Sequence, residues 1–216
     1  MQMRICETAM TCFVIIGDLN RSRELENRAV IQRQLKAAIT AFNAKTAARS
    51  LPPARLTAGD EIQGISEDPC YVLDVIVALA DAVAPAQFSW GLGFGELSTD
   101  VAEDVALMDG PCFHRAREAL ERSRKKGSWF EAEGIEPFTS TVLAAIMNLM
   151  GAIREDWTEK QAMYTRQARD HSQIEVARAM GKSPSTISRA LRATKFDRMI
   201  EAEQAARLVL EKLGNA

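Results

Sequence analysis

The run Cys12-Phe13-Val14-Ile15-Ile16, closed by Gly17-Asp18, constrains this chain more than any other stretch. Its apolar residues follow one another without a break and three are β-branched, so no polar face is left for water. Residues 11–18 therefore predict a strand buried on both faces. Such a strand needs neighbours to pair with and helices to cover it.

The flanking sequence supplies them. "SRELENRAVIQRQLKAAITAFNAKTA" (22–47) predicts a long amphipathic helix with Leu25, Ala29, Ile31, Gln32, Leu35, Ile39 and Phe42 on a helical period. Ser22 is its candidate N-cap. Leu51-Pro52-Pro53 breaks the chain. "ARLTA" and "EIQGI" then predict two short strands around Gly59-Asp60, a pairing common in hairpin turns. Pro69 opens a helix over 71–83. Residues 87–98, "QFSWGLGFGELS", predict a strand with Phe88, Trp90, Leu92 and Phe94 in alternation. The glycines between them leave one face open to close backbone approach. Pro111 begins and Gly127 ends a helix over 111–126, and 128–133 predicts a last strand. The order β-α-β-β-α-β, extended by a helix and a strand, predicts an α+β fold. Its first part is a ferredoxin-like antiparallel sheet domain over 1–136, with helices on one face. From Pro137 onward only helical patterns occur, which predicts an all-α domain over 137–216.

An apolar share of 47% and a charged share of 26% exclude a disordered or fibrous chain. No apolar run approaches the ~18 residues of a membrane span, and "MQMRICETAM" lacks the apolar centre of a signal peptide. Cys6, Cys12, Cys70 and Cys112 are scattered, with no C-x-x-C pair, which argues for reduced thiols and against a disulfide framework or structural zinc. The expectation is a cytoplasmic protein that does not contact a membrane. The net charge of −2 is uneven: residues 157–216 hold 11 Lys/Arg against 7 Asp/Glu, so the basic excess sits at the C-terminal end.

Two constellations carry chemistry. In the first, Gly17-Asp18 and Gly59-Asp60 each end a predicted strand at one edge of the sheet. Two carboxylates brought together repel unless a cation lies between them, and Mg²⁺ is the hard cation that suits oxygen ligands and phosphates. The helix that begins at Ser22 aims its N-terminus at the same edge, with Arg21 and Arg23 beside it, a setting for an anion. The alternative is that both aspartates are turn or cap residues. The segments "FVIIGDLNRSR", "RLTAGDEIQG", "WGLGFGELSTD" and "GPCFHRAREAL" resemble the SatD family. More distantly they resemble the palm-like domain of class III nucleotide cyclases and GGDEF proteins. That resemblance implies metal binding by Asp18 and Asp60, with the carbonyl of Leu19 as a further ligand. It makes Leu19, Asn20, Arg21, Ser22, Arg23 and Glu61 the candidate nucleotide contacts. It also shows departures: His114 and Glu118 stand where the cyclases carry Asn and Arg that steady the reacting phosphate, and Leu56 replaces the base-reading Lys. Loss of such donors removes a large electrostatic contribution to catalysis.

The second constellation is "SQIEVARAMGKSPSTISRALR" (172–192). Ser172 and Glu175 form a capping-box pattern, Gly181 suits a left-handed turn, and Pro184 suits a first helical turn. Val176, Ala177, Met180, Ile187 and Leu191 are the inward residues. The spacing resembles the helix-turn-helix of bacterial transcriptional regulators. It places Ser185, Thr186, Ser188, Arg189 and Arg192 outward toward a major groove, with Gln173, Lys182, Ser183 and Lys195 as further DNA contacts. A plain helical hairpin with a basic face is the alternative. Two functions stay open. One is a homodimeric regulator of transcription that binds double-stranded DNA, its cyclase-like domain holding a nucleotide effector with Mg²⁺ or pairing two copies. The other is an active nucleotidyl cyclase or related metal-dependent phosphoryl-transfer enzyme.

Overall fold

Residues 10–20, 27–57 and 60–214 are described in the computed structural model. Strands β1 (Thr11–Leu19), β2 (Arg55–Leu56), β3 (Glu61–Ser66), β4 (Phe88–Glu96) and β5 (Phe130–Glu133) form one sheet in the order β2-β3-β1-β4-β5. The apolar run at 12–16 is thus the central strand. It pairs antiparallel with β3, where Ile15 lies opposite Gly64, and with β4, where Ile15 lies opposite Leu92. β2 is antiparallel to β3. β5, however, runs parallel to β4 and makes the sheet mixed. The helical crossover between those two strands permits that direction, because a parallel pair needs a long connection rather than a hairpin.

Side chains along β1 alternate between two cores. Phe13, Ile15 and Leu19 pack with helices α1 (Arg28–Thr46) and α2 (Pro69–Val83). Cys12, Val14 and Ile16 pack with Cys112, Phe113, Ala116 and Leu120 of α3 (Pro111–Lys126). Helices therefore cover both faces, which corrects the expectation of a single covered face. The reason lies in β1 itself, whose two apolar sides each require a lid. The glycines of β4 set how closely α3 approaches. A Cβ at Gly91 would strike the α3 backbone at Ala116 and Leu120, and one at Gly93 would strike it at Cys112 and Ala116. The open glycine face expected from 87–98 is the face that α3 occupies.

The remaining helices are α4 (Pro137–Glu155), α5 (Glu159–Ala168), α6 (Gln173–Ala179), α7 (Pro184–Ala193) and α8 (Phe196–Gly214). Leu143, Met147 and Met150 of α4, with Met199, Ala206 and Leu210 of α8, share one continuous core with Leu79 of α2 and Trp90 of β4. That core runs without a break across Glu136 and Pro137. Tyr164, Val176, Ala177, Ile187 and Leu191 make a separate small core between α5, α6 and α7. Side chains cap the starts of α2 and α4: Asp68 accepts from the Cys70 amide at 2.8 Å, and Glu136 accepts from the amides of Phe138 and Thr139, both at 2.8 Å. Among the described residues no helix is long and apolar enough to cross a membrane.

Candidate functional site

The strand-end acids do not converge. Asp18 lies directly opposite Glu61 in the β1–β3 register, so these two share the face covered by α3. Asp18 meets Arg124 of α3 at 2.6 Å, and Glu61 is held by both terminal nitrogens of Arg117. Gln63 also donates to Glu61, at 3.0 Å. Burial pushes the Glu61 carboxyl up, but Arg117 and Gln63 outweigh it and leave its pKa below the usual carboxylate range. Asp60 precedes Glu61 and turns the other way, toward α1. It is buried, and accepts from Arg28 at 3.1 Å and from Gln32 at 2.9 Å.

Asp18 and Asp60 thus engage helices on opposite faces of the sheet, and each has an arginine in its ion pair. A divalent ion bridging them does not fit this donor set, since the guanidinium groups already supply the positive charge. Among the described residues no group of three His, Cys, Asp or Glu is arranged to hold a metal. Asn20 is tied into the sheet, accepting from the Ser89 hydroxyl at 3.0 Å, and the Leu19 side chain is core. Arg21, Ser22, Arg23 and Gly59 lie outside the described residues. His114 stands exposed beside Asp109 at 2.9 Å.

The second constellation is assembled as a unit. Ser172 and Glu175 satisfy each other's backbone in a complete capping box at the start of α6. Gly181, with φ +61°, makes the left-handed turn between α6 and α7. Ser183 caps α7, accepting from the Thr186 amide at 3.2 Å, and Pro184 occupies the first turn. Val176, Ala177, Ile187 and Leu191 are all buried. Gln173, Lys182, Ser183, Ser185, Arg189, Arg192 and Lys195 are exposed, and Thr186 and Ser188 are half-buried. Among the described residues Lys182, Arg189, Arg192 and Lys195 have no carboxylate partner. Arg28, Arg49, Arg117, Arg124, Arg154, Arg169 and Arg207 all do.

A buried ionic cluster joins the two halves of the molecule. Asp81 of α2 accepts from Arg154 of α4 and from Arg169, which lies between α5 and α6. Arg169 also holds Glu203 of α8 through two bonds of 2.8 and 2.6 Å. Arg154 is sandwiched between Trp129 and Trp157, with its guanidinium carbon 5.9 and 4.9 Å from the ring centroids. Burial pushes Asp81 up, yet the two arginines prevail and hold it below the ordinary carboxylate range. Sequence reasoning passes over this cluster. The available signal is Asp81 itself, a lone charge in the otherwise apolar second half of α2.

The SatD family model matches residues 12–210. The chain belongs to the SatD family. No curated protein matches the SatD-family chain. Among solved structures, a bacterial light-regulated adenylyl cyclase is 12% identical, with 58% of this chain and 76% of that chain covered and a TM-score of 0.42. The regulator of polyketide synthase expression from Bifidobacterium adolescentis is also 12% identical, with 97% and 82% covered and a TM-score of 0.27. At these scores neither likeness carries an argument about what the SatD-family protein does.

Proposed function

We infer that this SatD-family protein is a DNA-binding regulator of transcription. In this reading α6 and α7 form a helix-turn-helix, and the sheet unit is a ferredoxin-like, cyclase-type frame that has turned to scaffolding. One observation carries the reading. Lys182, Arg189, Arg192 and Lys195 stand exposed and, among the described residues, without acidic partners around a well-capped helix, in a protein whose other arginines largely hold carboxylates. Phosphates and guanine edges are the partners such a face suits. The ten residues of α7 span about 15 Å, a length that enters a major groove. Arg189 and Arg192 take the base-reading role, with Ser185 and Ser188 beside them. Lys182, Lys195 and Gln173 take phosphates. Ser183 serves the helix as its cap. Two copies of the chain would present two such helices to half-sites about 34–36 Å apart.

A gel-shift series on genomic fragments at several salt concentrations tests this. Specific binding that weakens steeply with salt is expected. Arg189→Ala should lower the preferred site's affinity by roughly 5- to 150-fold while barely touching non-specific binding. Undiminished specific binding by Arg189→Ala refutes the groove assignment. The metal-dependent cyclase reading finds less support, because Arg124 and Arg28 are paired with Asp18 and Asp60, the acids it requires.

A further inference from the structure

Helix α4 is covered on one side. Leu143, Met147 and Met150 face the shared core, while Phe138, Thr141, Ala145, Leu149 and Ala152 stand exposed. Phe138 and Leu149 are 73% and 67% exposed. No residue from Pro137 to Ile153 carries a charge. A helix face in water ordinarily does, and a helix apolar all round belongs in an interior. The polar groups beside the strip are already engaged. The Thr141 hydroxyl donates to the Pro137 carbonyl at 2.8 Å. Asn148 accepts from the Phe130 amide at 2.8 Å and donates to the Phe130 carbonyl at 3.1 Å, which seals the edge of β5. Covering the strip therefore strands no hydrogen-bonding group of these two residues.

We propose that α4 joins two copies of this chain, antiparallel about a two-fold axis through Ala145. The exposed positions 138, 141, 145, 149 and 152 have a spacing that reads the same in both directions about Ala145. A second copy laid across the face by that axis sets Phe138 against the partner's Ala152 and Leu149 against the partner's Thr141. Each large side chain meets a small one, and Ala145 meets itself, so the axes approach to the ~8 Å of a close helix pair. That symmetry selects a second copy over an unrelated protein, because a closed two-fold contact uses one patch twice. The area sets the strength. From Phe138 to Ala152 the helix runs about 22 Å, and at a width of about 12 Å each copy brings roughly 250 Å² of footprint. A standard interface covers about 800 Å² per partner, so this contact is weak and reversible, with a Kd of about 10–100 µM. The interface stands without the DNA reading. Its consequence for DNA, two recognition helices held together, rests on that reading.

Sedimentation of the full chain from about 1 to about 300 µM tests the contact. The average mass should rise with concentration toward twice that of one chain. Ala145→Glu and Ala145→Lys each place two like charges on the axis, and each variant alone should stay monomeric. Both residues are good helix formers at an exposed position, so the circular dichroism spectrum and melting temperature should hold. An equimolar mixture of the two variants should dimerise again, because opposite charges then meet at the axis. A wild type that stays monomeric throughout overturns the proposal, and one that instead binds phosphatidylcholine vesicles gives the strip to a membrane surface. Ala145→Glu dimerising like wild type overturns it too, by placing the pairing on another face. So does a mixture that stays monomeric. A gel shift then separates the two readings. Ala145→Glu should weaken binding to a fragment with two half-sites at least tenfold and leave a single half-site unchanged. Equal binding to both fragments overturns the consequence for DNA. A wild type that dimerises and binds no DNA sinks the DNA reading and leaves the interface intact.

Discussion

Replacing Asp81 by Asn is the sharpest test of how the sheet unit and the C-terminal helices are joined. The wild-type carboxylate neutralises two guanidinium groups, and they are not equally provided for. Arg169 keeps Glu203 when Asp81 is lost, through bonds of 2.8 and 2.6 Å. Among the described residues Arg154 keeps only the faces of Trp129 and Trp157, and its side chain is 2% exposed. Asp81→Asn therefore strands one fully buried charge, a change that costs about 3–5 kcal/mol. In urea that is a fall in midpoint of roughly 1–2 M at an ordinary slope. Adding Arg154→Met removes the stranded charge and offers apolar volume to the two indoles, so the double variant should recover at least half of the loss. The effect also has a pH signature. The folded state holds the Asp81 pKa below its unfolded value, so its contribution is fully present above about pH 4 and is lost as pH falls through the folded pKa. The stability gap between wild type and Asp81→Asn should therefore be constant near neutrality and close in acid. A loss under about 1 kcal/mol, or a double variant no more stable than the single one, refutes the reasoning.

Three further outcomes are expected. Gly181→Ala and Gly91→Ala should both destabilise, for different reasons. At Gly181 nothing lies within 4 Å of an added Cβ, so the cost is the left-handed backbone alone, about 1–2 kcal/mol. At Gly91 the added methyl meets the α3 backbone and must push the helix off the sheet, so thermal denaturation should show the larger loss there. Glu61→Gln should lower stability by about 1 kcal/mol, tempered by the partly exposed Arg117, whereas adding Mg²⁺ or a chelator should leave the melting temperature unmoved. Stabilisation by Mg²⁺ that depends on Asp18 would contradict the ion-paired arrangement. Cys12 is fully buried and its thiol is pushed up to about 12, first by burial and then by nearby Cys112, so native protein at pH 8 should resist alkylation at Cys12 until it unfolds.

Much of the local structure was legible because it depends on short-range chemistry. The β-branched run at 12–16 had to be a central strand. Ser172 with Glu175, Gly181 and Pro184 set the limits of α6 and α7 through hydrogen bonds and backbone angles a few residues apart. The glycines of 91 and 93 announced a close approach without saying by what. The sequence by itself thus determined the elements, their inward faces and the basic, exposed surface of α7. Tertiary structure alone decided the rest. Which helix covers which face of β1 depends on how the chain crosses the sheet, and two apolar sides accept a helix equally. Whether Asp18 meets Asp60 or Glu61 is a matter of register, and one residue of offset sends a side chain to the opposite face. Arg117, Arg124, Arg154 and Arg169 look like ordinary surface charges in a linear reading. Only the folded chain, by bringing acids from 56 to 106 residues away, shows that they hold the molecule together.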